Sequence, residues 1–149
     1  MKTLVVYQSS TGFTRQYAQW IGAALSCEVK SIKEVNAQII SDYDLIIHGG
    51  WVMGNMVSGL ENIRRMSPKK LIVFAVGFSN TGTCEQAIVE TNHLENTPFY
   101  YMEGGFHPKQ MGFLKKLMVK AVTKNPVTEI DHSDKKFMEP LVEYVRENA

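Results

Sequence analysis

The stretch Thr3-Leu4-Val5-Val6-Tyr7-Gln8-Ser9-Ser10-Thr11-Gly12-Phe13-Thr14 joins two patterns that together dictate a fold class. Residues 3 to 7 form a continuous apolar, β-branched run, which reads as a strand buried on both faces. Phe13, Tyr17, Trp20, Ile21 and Ala24 then recur at helical spacing, so an amphipathic helix follows almost at once. Between them lies a short polar loop of hydroxyls ending in Gly12.

The same alternation continues along the chain. Strands are expected at Glu28 to Ile32, Tyr43 to Ile47, Leu71 to Val76 and Phe99 to Met102. Helical stretches fall at Met56 to Met66 and Thr83 to Asn92, the second opening with Thr83 and Gln86 spaced as a capping box. Continuous apolar strands alternating with helices imply an α/β fold, a parallel sheet covered on both faces. No linker, repeat or low-complexity tract interrupts the 149 residues, so residues 1–149 read as one domain.

Composition narrows the function classes. The chain is 44% apolar, enough for an ordinary core, and carries a net charge of +1, which does not indicate a nucleic-acid binder. Cys27 and Cys84 show no paired or metal-ligand spacing and read as reduced thiols. The first apolar run is too short for a signal segment or a membrane span, so a cytoplasmic location is expected. His48, His93, His107 and His132 are scattered without ligand spacing.

The C-terminal third is less regular. Leu114, Leu117, Met118, Ala121 and Val122 make an apolar stripe, and Lys115, Lys116, Lys120 and Lys124 occupy much of the remaining surface. This is a basic amphipathic helix across Lys109 to Lys124, ended by Asn125-Pro126. Ser133 then caps a last helix with Phe137, Leu141, Tyr144 and Val145 on its apolar side. Either helix can close the sheet, leaving the other as an addition.

Ligands of open parallel sheets bind beyond the carboxyl ends of the strands. The first such loop offers Ser9, Ser10, Thr11 and Thr14 hydroxyls, and Gly12 lets the backbone turn closely. The amides and dipole of the following helix favour an anion there. No lysine lies in the loop, so this is not a nucleotide-hydrolysing P-loop. After the third strand comes Gly49-Gly50-Trp51-Val52-Met53-Gly54-Asn55-Met56, where glycines and an aromatic suit a planar ring. After the fourth comes Gly77-Phe78-Ser79-Asn80-Thr81-Gly82.

Ser-x-Thr-Gly-x-Thr at residues 9 to 14, directly after the first strand, resembles the phosphate loop of the flavodoxin family. The likeness runs to about Met102. It implies a doubly wound, open five-stranded parallel sheet in the order 2-1-3-4-5, with non-covalent FMN at the switch point between strands one and three. By that resemblance Ser9, Ser10, Thr11, Gly12, Phe13 and Thr14 hold the phosphate. Trp51, Val52, Met53, Gly54 and Asn55 then flank one side of the ring, and Phe78, Ser79, Asn80, Thr81 and Gly82 the other. The Gly54–Asn55 peptide would reorient to offer its carbonyl to reduced flavin, and Trp51 either stacks on the ring or packs at the loop base.

The resemblance implies electron transfer to a redox partner protein or a quinone. Carrier flavodoxins are acidic, whereas residues 49 to 56 and 77 to 82 contain no Asp or Glu; a less negative potential for the fully reduced flavin is expected. The C-terminal part resembles flavodoxin-domain proteins of the menaquinone-dependent protoporphyrinogen oxidase type. Its basic helix then makes peripheral contact with anionic lipid, attracts a carboxylated porphyrin, or simply faces solvent. Three readings stand: an FMN electron carrier, an FMN-dependent oxidoreductase of quinone or porphyrinogen type, and a partner-binding module without flavin.

Overall fold

A computed structural model describes residues 1–10, 12–106, 130–131 and 133–148. Five strands run parallel: β1 (Thr3–Tyr7), β2 (Glu28–Ser31), β3 (Leu45–Met53), β5 (Leu71–Gly77) and β6 (Phe99–Glu103). Their spatial order is β2-β1-β3-β5-β6, which is the expected 2-1-3-4-5 when the parallel strands alone are counted. The sixth strand, β4 (Met56–Val57), is antiparallel to the end of β3.

Helices cover both faces because strand side chains alternate. On one face Val5, Ile47, Phe74, Val76 and Met102 pack with Phe13, Tyr17, Ala18 and Ile21 of α1 (Phe13–Leu25) and with Leu141, Val142 and Val145 of α5 (Glu139–Asn148). On the other, Leu4, Val6 and Ile46 meet Ile40 of α2 (Ala37–Ser41) and Ile63 of α3 (Leu60–Arg65). There too, Val73, Ala75 and Tyr101 meet Leu60 and Ile88, the latter from α4 (Glu85–Thr91). Of the two helices able to close the sheet, α5 lies on the α1 face; the Lys109 to Lys124 segment is outside the described residues. A two-stranded sheet pairs β7 (Gly105–Phe106) with β8 (Ile130–Asp131).

Tyr17 ties this face together. Its ring is fully buried, and its hydroxyl donates to the Glu103 carbonyl and accepts from the Asp134 amide at 3.1 Å. Trp20 meets it edge to face, with centroids 5.4 Å apart.

Three local expectations need correction. No helix opens at Met56: Gly54 and Asn55 both have positive φ (57° and 65°), the pattern of a tight type I′ turn. That turn folds the chain back so that Val52 pairs with Val57, and α3 starts only at Leu60. The Thr83–Gln86 capping box does not form, because the Thr83 hydroxyl donates to Asn80 O and Gln86 reaches Glu90. Near the C-terminus the cap is Asp134, not Ser133; its carboxylate accepts from Lys136 N at 2.9 Å and starts a 3-10 turn over Lys135–Phe137 that precedes α5.

Candidate functional site

The sheet's order reverses between β1 and β3, so their carboxyl ends leave a crevice. Tyr7 stands beside Gly49, and the Gln8 amide donates to Gly49 O at 2.9 Å. From there the chain turns into α1. Ser9 Oγ accepts from Gly12 N at 3.0 Å, and Gly12 takes a left-handed φ of 96°. Glycine adopts that conformation without cost. The N-cap position is this glycine, which has no side chain of its own to cap with, and the first turn of α1 carries no acid. The positive end of a thirteen-residue helix therefore lies at this end of the sheet with no acid in its first turn.

Of the loop residues, Ser10 and Gly12 are exposed and Ser9 is half-buried, whereas Phe13 and Thr14 are buried. The Phe13 ring belongs to the core, so only its backbone is available to an anion. Thr11 lies outside the described residues.

Across the crevice, β3 runs on through Trp51, Val52 and Met53, which the sequence pattern had read as loop. The close packing explains Gly50: a Cβ there would lie 2.2 Å from Ser58 O. Ser58 Oγ accepts from Trp51 N at 2.9 Å, and Ser58 N donates to Trp51 O at 3.0 Å. His48, fully buried, supports this pair by donating from Nε2 to Ser58 O at 2.8 Å. Burial pushes its pKa down to about 4, against the weaker opposing effect of that bond. It is a packed neutral histidine. At the hairpin tip Met53, Gly54, Asn55 and Met56 are exposed, and Trp51 and Val52 are half-buried. Phe78 is exposed at the end of β5.

The flavodoxin domain model matches residues 4–133 of the chain. The chain belongs to this family. Flavodoxin 2 of Bacillus cereus, in its oxidised form, is similar in structure with a TM-score of 0.51 and 23% identity, over 69% of this chain and 84% of that one. A Bacteroides eggerthii protein assigned as a flavoprotein gives 0.51 and 15% identity, over 83% of this chain and 98% of that one. At these identities the likenesses establish the fold. No curated protein matches the chain. As a member of the flavodoxin family, this is an FMN-binding electron-transfer protein that works with a redox partner.

The residues of this flavodoxin domain fit FMN. The acid-free start of α1, entered through a glycine, suits a phosphate. Met53 at the end of β3, Met56 at the start of β4 and Phe78 just after β5 are three large apolar side chains left exposed, and they suit a flat ring.

The loop after β5 holds a feature the sequence pattern missed. The Thr81 amide and hydroxyl both donate to Glu103 Oε2, at 3.0 and 2.7 Å. Gly82 N donates to Glu85 at 2.8 Å. Two carboxylates thus reach a segment that has none of its own, and these donors already have partners. The only sequence signal was Glu103 at the carboxyl end of a strand. Tyr101 OH donates to Ser79 O at 2.8 Å and holds the base of the loop. Cys84 sits before α4, but burial raises its pKa, so it stays a thiol.

Among the described residues no His, Cys, Asp and Glu group forms a metal site, and no helix is long and apolar enough to cross a membrane.

Proposed function

We propose that this flavodoxin domain holds the FMN phosphate on Ser9, Ser10, Thr11, Gly12, Phe13 and Thr14. The ring lies between Trp51, Val52, Met53, Gly54 and Asn55 on one side and Phe78, Ser79, Asn80, Thr81 and Gly82 on the other. The observation that carries this reading is the hydroxyl-rich, acid-free entry to α1 at the sheet's switch point. When bound, FMN supplies the electron chemistry, and the chain binds, orients and shields it.

Neutral hydroxyls and amides retain a phosphate monoester without activating it. Exposed Met53, Met56 and Phe78 exchange water for ring surface on binding. In this reading the protein is a cytoplasmic carrier that passes electrons to a partner protein.

A second reading rests on Lys115, Lys116, Lys120 and Lys124 in one amphipathic stretch. It makes the protein a quinone- or porphyrinogen-type oxidoreductase at an anionic membrane surface. Co-sedimentation with anionic liposomes, lost in Lys115→Glu/Lys116→Glu, supports it; no co-sedimentation by the parent removes it.

The site itself is tested by titrating the protein with FMN and with riboflavin while recording visible absorption and fluorescence. FMN should bind with shifted bands and quenched emission, and riboflavin, lacking the phosphate, should bind clearly more weakly. Equal binding of the two would refute the phosphate assignment. Binding of neither would refute the whole site.

A further inference from the structure

The tip of the β3–β4 hairpin is held at one end only. Asn92, just past α4, is 4% exposed, and every polar valence of its side chain that an amide can use well is engaged. Its Nδ2 donates to Asn55 O at 2.6 Å and to Ile88 O at 2.8 Å, and its Oδ1 accepts from Val57 N at 3.1 Å. Arg64 of α3 fastens the same point from outside, donating to Asn92 O at 2.5 Å and to His93 O at 2.9 Å. Two helices thus converge through one side chain on the second residue of the turn.

Among the described residues nothing restrains the first residue of the turn in this way. Gly54 is exposed, and a Cβ built on it would meet nothing within 4 Å. Asn55, by contrast, keeps a φ of 65°, uncommon for a residue with a side chain. With the Asn55 carbonyl clamped, rotation in the turn is confined to the peptide joining Gly54 to Asn55.

We propose that Asn92 is a positioning residue for the flavin site. It clamps the Asn55 end of the hairpin turn, so that only the Gly54–Asn55 peptide adapts to the oxidation state of the ring. The inference rests on the reading that residues 51 to 55 flank FMN. Asn92 touches no part of the ring and acts through the backbone of Asn55 and Val57. A loosened turn would meet oxidised and reduced FMN with different contacts, and the ratio of the two affinities would move.

Asn92→Leu keeps the size and the charge but leaves Val57 N without its acceptor and two carbonyls without their donor. The test compares parent and variant in affinity for oxidised FMN, in midpoint potential by anaerobic redox titration, and in apoprotein Tm. The expected result is a change of about tenfold or more in the ratio of affinities for oxidised and reduced FMN, read as a potential shift of about 30 mV for the two-electron couple. A lowered Tm with the potential unmoved would overturn the proposal and leave Asn92 a packing residue. If Asn92→Leu does not fold, Arg64→Gln releases the clamp from the outer side. It should shift the same ratio by about threefold or more, a part of what two hydrogen bonds from a charged donor contribute, and an unchanged ratio again overturns the proposal. If the parent binds no FMN, the site reading fails and this inference fails with it; a flavin-loaded parent with unshifted variants defeats the inference alone.

Discussion

Acid should loosen this protein earlier than its carboxylates alone demand, because His48 is buried in a form that cannot take a proton. Its Nε2 faces a carbonyl, Ser58 O, so the ring is the Nε2–H tautomer. Nδ1 is buried with no hydrogen-bond partner among the described residues. Protonation would place a charge and a new N–H against apolar neighbours. Burial accordingly lowers the pKa from 6.5 to about 4. In the unfolded chain the group returns to about 6.5. Between those values the unfolded state binds the extra proton, so stability is full above pH 6.5 and falls as pH falls towards 4. At about 1.4 kcal/mol per pH unit, the loss attributable to His48 is about 3 kcal/mol. Urea unfolding from pH 7.5 to 4 would measure it. The His48→Gln variant lacks the titrating ring and should show a shallower decline by about that amount. NMR titration of the ring gives the direct check. A His48 resonance that titrates near 6.5, or equal pH slopes in parent and variant, would refute the reasoning. Because Ser58 also pairs with the Trp51 backbone, FMN affinity should hold down to about pH 5 and weaken only as pH approaches 4, where the buried ring itself takes a proton.

Other changes test the site and its scaffold. Ser9→Ala and Thr14→Ala should each weaken FMN by about 1 kcal/mol, and a triple variant with Thr11→Ala by more, measured by fluorescence titration. Glu103→Gln removes a carboxylate that reaches the Thr81 donors; if that loop flanks the ring as proposed, spectroelectrochemistry should show a less negative potential, because one negative charge fewer opposes the reduced flavin. Gly50→Ala would push a methyl to 2.2 Å from Ser58 O. The cost should be about 1–3 kcal/mol in urea unfolding, as for other overpacked sites.

The periodicity of residues 3 to 25 was enough to set a buried strand feeding a helix, since burial on both faces demands a continuous apolar run and a single covering face demands a stripe. The five parallel strands, and the short polar loop between the first of them and α1, were legible for that reason. Short-range turn chemistry was harder: Gly54-Asn55 is a hairpin signal, but the apolar residues after it also fit a helix, and only pairing with β3 settled Met56 and Val57 as strand. Phe13 shows the same ambiguity in the site, since a loop position in sequence is a core ring in space.

What the amino-acid order determined by itself is local: which segments are apolar on one side or two, where glycine permits a left-handed turn, and where hydroxyls gather before a helix. What the tertiary structure decided is which distant groups meet. Glu103 lies 22 residues from Thr81, and Asn92 lies 37 residues from Asn55. Neither pairing leaves a mark in the spacing, because a hydrogen bond across a sheet edge depends on where strands end in space. The charge beside the fourth-strand loop and the clamp on the hairpin turn therefore exist only once β5, β6 and α4 have packed.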